Sequence, residues 1–285
     1  MTGGVLLLLL LVAFPVFILV TRVIGTRVDG RDVRWLAGDD VTAAEAAVVV
    51  AYLRRHRLHR LFGGIFGVVL ALVIGIQWYG QGGFALGTTN PLADVLFCGI
   101  AGVVGGALSA ETYRLRLPRS GPSTASLAER PGLPLAGHAW TARGVLAGSM
   151  LLGVVAGLAW GRWTGAFAAA CGLGVVAVAE ATRTAIAHRR RPVLSERAQV
   201  LDGRFRGFAA ASVTRLELSV VALVAIWAFT SLPQTGPWAP VAAAGWLAGL
   251  VVAVVQLHRA APRPPAGWGG ATAPRTEPTV PAASA

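Results

Sequence analysis

Long blocks of apolar residues separated by short arginine-rich stretches organise this chain. The blocks cover residues 5–20, 61–79, 92–110, 144–160, 164–179, 216–232 and 239–257. Their apolar side chains follow neither helix nor strand spacing, so lipid is the expected solvent. Each block comes close to the ~20 residues that carry a helix across ~30 Å of hydrocarbon. The two middle blocks are short, and 164–179 is expected to stay helical past Glu180, with long side chains snorkelling to the surface. The pattern predicts an all-α, polytopic transmembrane bundle of about seven spans, one lone helix followed by three helical hairpins.

The predicted organisation starts with a transmembrane helix in 1–24 and a cytoplasmic segment with an amphipathic helix in 25–60. Hairpins occupy 61–110, 144–183 and 216–259. Between them lie a cytoplasmic loop (111–143) and a basic cytoplasmic loop (184–215), and a disordered tail takes 260–285. Thr42-Ala-Ala-Glu45 is a capping-box pattern, expected to start a helix that runs into the second span. Residues 116–137 are rich in Pro, Gly and Ser and read as a loop. Residues 192–215, with Ser195, Glu196, Phe205 and Phe208, suit an amphipathic helix lying on the inner surface. The prolines of 260–285 read as disorder.

Charge gives this plan a direction. No basic side chain precedes the first block, and Arg22 and Arg27 follow it, the polarity of a retained helix with its N-terminus outside and not of a cleaved leader. With that orientation every arginine except Arg162 falls on one side, which the positive-inside rule makes cytoplasmic. Trp78, Tyr79, Trp160, Trp163, Trp227 and Trp238 then cluster at the outer interface, where an apolar ring with a polar N–H or O–H sits well.

Composition sharpens the class. The chain is 55 % hydrophobic and 13 % charged, with a mean hydropathy of +0.63. Its net charge of +12 comes from arginine, for there is no lysine. Abundant Ala, Gly and Val beside that arginine bias suit a high-GC bacterial genome, and the expected location is the bacterial plasma membrane. The arginines flank apolar blocks, so membrane orientation explains the charge and no nucleic-acid partner is expected. Without lysine there is no Walker-A phosphate loop and no lysine Schiff base. Cys98 and Cys171 both lie inside apolar blocks and read as small buried hydrophobes, with a bridge between them as the alternative.

Each hairpin begins at an arginine (Arg60, Arg143, Arg215) and ends in a related tetrad: Glu111-Thr-Tyr-Arg114, Glu180-Ala-Thr-Arg183 and Gln256-Leu-His-Arg259. Duplication and convergence under one topology explain this equally well. Positions i and i+3 share a helix face, so Glu111 and Arg114, like Glu180 and Arg183, can pair at a helix end. A sharper alternative brings Glu111, Arg114, Glu180, Arg183, Gln256 and Arg259 to one polar, cytoplasm-facing site. Arg54, Arg55, Arg57 and Arg60, with Arg189, Arg190 and Arg191, are candidate contacts for anionic lipid headgroups, worth roughly 1 kcal/mol each. His56 and His59 share a face, but the arginines around them repel a metal ion, and no metal or cofactor is expected.

Glycines four apart (Gly63/Gly67, Gly102/Gly106, Gly153/Gly157/Gly161, Gly245/Gly249) read as close helix packing within the chain, with an oligomer interface as the alternative. Asp94 lies at the outer edge of its block and Glu217 at the inner edge of its own. No ionisable residue falls at mid-bilayer, which counts against a proton-coupled transporter. There is no His-Glu-x-x-His pair and no Gly-x-Ser-x-Gly elbow.

The phrases Arg55-His-Arg-Leu-His-Arg60, Ala110-Glu-Thr-Tyr-Arg-Leu-Arg116 and Ser123-Thr-Ala-Ser-Leu127 resemble those of uncharacterised multi-pass membrane proteins of actinobacteria. The likeness spans about half the chain and implies location, not activity. The expected function is a non-catalytic scaffold, accessory subunit or regulator, with a membrane-protein partner or a second copy of itself. A transporter or channel for a small or lipid-like molecule is the first alternative, and an enzyme acting on lipids the second.

Overall fold

The computed structural model describes residues 27–39, 41–79, 91–111, 136–188 and 196–264. Among them are seven helices and no strand: α1 (Gly30–Ala37), α2 (Ala43–Tyr79), α3 (Pro91–Glu111), α4 (Ala136–Trp160), α5 (Thr164–His188), α6 (Glu196–Thr230) and α7 (Trp238–Arg259). All six apolar blocks after the first are helical, as periodicity-free apolar runs must be when no water is present to satisfy the backbone. Helices α2, α4, α5, α6 and α7 are long and apolar enough to cross a membrane. Helix α3 adds a sixth apolar segment of 21 residues. The chain is thus an all-α, polytopic membrane protein. The predicted span 5–20, Arg114, Arg189–191, most of the 116–137 loop and the tail beyond 264 lie outside the described residues.

The predicted start of α2 is present. Thr42 N–H donates to Glu45 Oε2 at 2.9 Å, and Glu45 N–H donates back to Thr42 Oγ1 at 3.3 Å. Two backbone donors that open the helix are thereby satisfied. Thr42→Ala is expected to cost about 1 kcal/mol and to speed amide exchange in the first turn of α2, read by mass spectrometry, without disturbing the spans.

Helix α2 then continues for 37 residues, carrying the arginine-rich stretch directly into the apolar block. Helix α6 does the same over 35 residues. The separate amphipathic helix expected at 192–215 is corrected here: from Glu196 it is one helix with the sixth apolar block. Its apolar side chains Ala198, Leu201 and Phe205 are buried against α1 and α2, so they need no lipid surface. The loop expected to end at 137 already turns helical at Ala136.

Helix α6 is the axis of the bundle. Its apolar window is 83 % buried, against 11 % for that of α7, which faces outward. Around it a main core joins Phe97 and Val104 of α3, Leu146 of α4, Val176 of α5, and Leu216, Val220, Val224 and Trp227 of α6. Trp227, expected in the interfacial belt, is instead only 1 % exposed and meets Phe97 edge-on at 4.6 Å. Trp160 and Trp238 do pair at the far end, at 6.0 Å. There Gly161, at φ +69°, turns α4 into α5, a backbone state that glycine adopts without strain. Arg162 donates to the Leu232 carbonyl at 2.7 Å, and Gly165 N–H donates to Ser231 Oγ at 2.8 Å, which tie this turn to the end of α6.

The predicted glycine spacings pack inside the chain except at Gly161, which faces open space. On α2 and α3, a Cβ added to Gly63, Gly67, Gly102 or Gly106 would overlap the facing helix's backbone carbonyls. Gly245 and Gly249 of α7 receive Phe229 and Ile226 of α6. No disulfide joins the two cysteines; Cys98 is half-buried, whereas Cys171, expected to be buried, is exposed.

Candidate functional site

Two polar networks occupy the arginine-rich end of the molecule. The first lies in a cap built by α1 on the arginine-rich ends of α2 and α6. Helix α1 opens at Asp29, whose backbone N–H donates to Asp32 Oδ2 at 3.0 Å. It lays Val33 and Leu36 over Val49, Tyr52 and Leu53 of α2 and Ala198, Leu201 and Phe205 of α6, forming a second, separate apolar core. Trp35 meets Phe208 edge-on at 5.5 Å and closes one side.

Arginines tie this cap together. Arg57 Nη2 lies 2.8 Å from Asp32 Oδ2 and donates to the Pro262 carbonyl at 2.9 Å, while Nε reaches the same carbonyl at 3.1 Å. Nη1 of the same side chain donates to the Arg27 carbonyl. Arg60 donates to the Ala260 carbonyl and to Ser212 Oγ, and Ser212 itself donates to that carbonyl at 2.9 Å. The segment leaving α7 is therefore strapped to α2 and α6. Arg57 and Arg60 are each 7 % exposed. Their expected role as headgroup contacts is corrected: a guanidinium buried among carbonyls and a carboxylate has few donors left for lipid. Arg54 remains exposed, and Arg55 lies 5.9 Å over the Tyr52 ring.

Glu111 belongs to this cap. Tyr52 donates to Glu111 Oε1 at 2.9 Å, and His56 Nε2 lies 2.7 Å from the same oxygen. His56 and Tyr52 precede the apolar stretch of α2. His59 turns elsewhere, with Nδ1 2.7 Å from Ser109 Oγ. The two histidines that share a helical face therefore serve different partners. Among the described residues no group of three or more His, Cys, Asp or Glu side chains is placed to hold a metal ion.

The second network lies inside the bundle, between α4, α5 and α6. Arg143 donates to Glu180 Oε1 through Nε at 3.0 Å and Nη2 at 2.7 Å, and its guanidinium stacks 4.7 Å over Trp140. Arg183 Nη1 stands 3.5 Å from Glu180 Oε1 and 3.8 Å from Glu217 Oε2. The predicted Glu180–Arg183 pair is present, one turn apart on α5. Glu217, set aside in the sequence as an edge residue, is only 1 % exposed, and neither carboxylate oxygen has a hydrogen-bond partner. Its place at the inner edge of an apolar block was legible, but its burial depended on α4 and α5 covering that face.

Of the six residues proposed for one polar site, the five that are described divide. Glu111 joins the cap, and Glu180 with Arg183 joins the bundle network. Arg259 contributes its carbonyl, which accepts from Arg215 Nη1 at 2.6 Å. Gln256 contributes a backbone carbonyl that accepts from Ala260 N–H at 2.9 Å. The arginine-rich end of each hairpin is nevertheless bridged by a contact between its two helices: Tyr52 and His56 to Glu111, Arg143 to Glu180, and Arg215 to Arg259. A shallow groove of about 230 Å³ opens on the cap, between Ala37, Gly38, Val41, Leu201 and Arg204. Comparison with protein-family models, with curated proteins and with solved structures returns no match.

Proposed function

We propose that this chain is a non-catalytic component of the bacterial plasma membrane, a scaffold, accessory subunit or regulator. In this reading it presents its folded cap at the cytoplasmic face. One observation carries it: α2 and α6 extend past their apolar stretches and enclose, with α1, an apolar core of their own. A chain that needed only to cross the membrane would gain nothing from a second core, since a short polar loop connects spans at lower conformational cost. A stable extramembrane module, carrying exposed Arg34 and Arg54, suits recognition of an acidic partner. The transport alternative needs Glu111 and Glu180 on one cavity, and their assignment to separate networks counts against it.

Native mass spectrometry of the protein released gently from its own membrane tests this reading. A protein partner in fixed ratio, lost from Arg34→Glu/Arg54→Glu, is expected. The protein arriving alone, or with a defined solute in place of a partner, would overturn the proposal.

A further inference from the structure

We propose that Glu217 is a proton-binding site, with Arg183 as a counter-ion shared between it and Glu180. This goes beyond the cap reading and does not depend on it.

The geometry is asymmetric. Glu180 receives both the forked Arg143 contact, at 2.7 and 3.0 Å, and the nearer approach of Arg183, at 3.5 Å. Glu217 receives only the distant edge of Arg183, at 3.8 Å. Its side chain is 0 % exposed, and both of its oxygens lack hydrogen bonds. Arg183 Nε is likewise buried without a partner. Two unsatisfied acceptors on Glu217 and one unsatisfied donor on Arg183 are thus buried on facing side chains. A buried carboxylate in this condition is costly as an anion unless a cation closes on it, and a bound proton removes that cost. The charged groups facing it are Arg143 from α4 and Glu180 and Arg183 from α5. The other described acid near this end, Glu111, is held by Tyr52 and His56 of α2. On the α7 side, Arg215 is engaged with the Arg259 carbonyl.

Two arrangements follow from one exchange. With the proton on Glu217, Arg183 stays with Glu180, as seen here. When the proton leaves to solvent, Arg183 is the cation that can close the 3.8 Å gap, leaving Glu180 to Arg143. No bond other than O–H is made or broken. The exchange moves Arg183 of α5 toward α6, and so couples proton occupancy to the packing of these two helices.

The test is infrared difference spectroscopy of the full-length protein in phosphatidylglycerol-containing liposomes, titrated from about pH 5 to about pH 9, the range spanned by buried carboxyls. A protonated-carboxyl C=O band is expected that appears on acidification, shifts in D2O, disappears in Glu217→Gln and persists in Glu180→Gln. Arg183→Met is expected to move the midpoint of that band upward, since the counter-ion favouring the anion is gone. Absence of any titrating carboxyl band in the unaltered protein would overturn the proposal. So would a band that survives Glu217→Gln.

Discussion

Gly102→Val is expected to push α3 off α2 and to lower the stability of the folded bundle by about 3 kcal/mol, the upper end of overpacking costs. The obstacle is backbone. A Cβ built on Gly102 falls within 3.0 Å of the Gly63 carbonyl, and Gly63, Gly67 and Gly106 stand in the same relation to the facing helix. A clash with a long side chain relaxes by rotation, but two helix backbones in contact separate only along their length. In a bilayer that separation also sacrifices the dispersion contacts that hold helices together, since lipid offers no hydrophobic drive to restore them. Gly105 on the same helix meets nothing within 4 Å, and Gly105→Val is the control. Thermal unfolding in detergent should separate the two variants clearly, with the control within about 0.5 kcal/mol of the parent. Equal stability of both variants would show that the glycine contact does not hold this pair of helices.

Arg57→Met is expected to open the cap while leaving the spans folded. The guanidinium meets Asp32 at 2.8 Å, the Pro262 carbonyl through two nitrogens, and the Arg27 carbonyl. One side chain thus holds α1, the approach to α1 and the segment leaving α7 against α2. Removing it strands Asp32, itself 7 % exposed, as a buried carboxylate without its cation. Breaking such a pair from one side costs about 3–5 kcal/mol. Trypsin cleavage after Arg31, Arg34 and Arg54 reads the opening. Where cleavage follows the open population, the rate should rise at least about 100-fold. Arg57→Lys should fall between, because an ammonium cannot reproduce the fork that reaches Asp32 and Pro262 together. Asp32→Asn should be milder than Arg57→Met, since it leaves no buried carboxylate. An unchanged cleavage rate in Arg57→Met would assign the cap's stability to its apolar core alone.

At the level of single residues the sequence is legible only where the interaction is local. The capping box at Thr42 and Glu45 and the ion pair of Glu180 with Arg183 are local, three residues apart on one helix, and each was legible. A basic run beside an apolar block satisfies the membrane rule wherever its side chains point, so the sequence alone makes Arg57 and Arg60 candidate lipid contacts. Their partners, Pro262 and Ala260, lie some two hundred residues along the chain. Its position near a helix end suggests an interfacial Trp227, whereas Phe97 of another helix covers it. Depth along the block is the wrong measure for Glu217: neighbouring helices bury it.

What the sequence determined by itself is the class of solvent and the helical state. Apolar blocks of membrane-spanning length admit no other backbone arrangement than helices when every N–H and C=O must be satisfied internally, and these are found. What only the tertiary structure decided is which polar groups share a space. Helix order along the chain does not say that α6 lies at the centre, and that single fact buries Glu217, seats Trp227 and gives α1 and α2 a surface for the cap. Hydrophobicity is additive along a chain and can be read there; the pairing of charges depends on which faces meet, and lipid-soluble helices of similar composition leave that to shape.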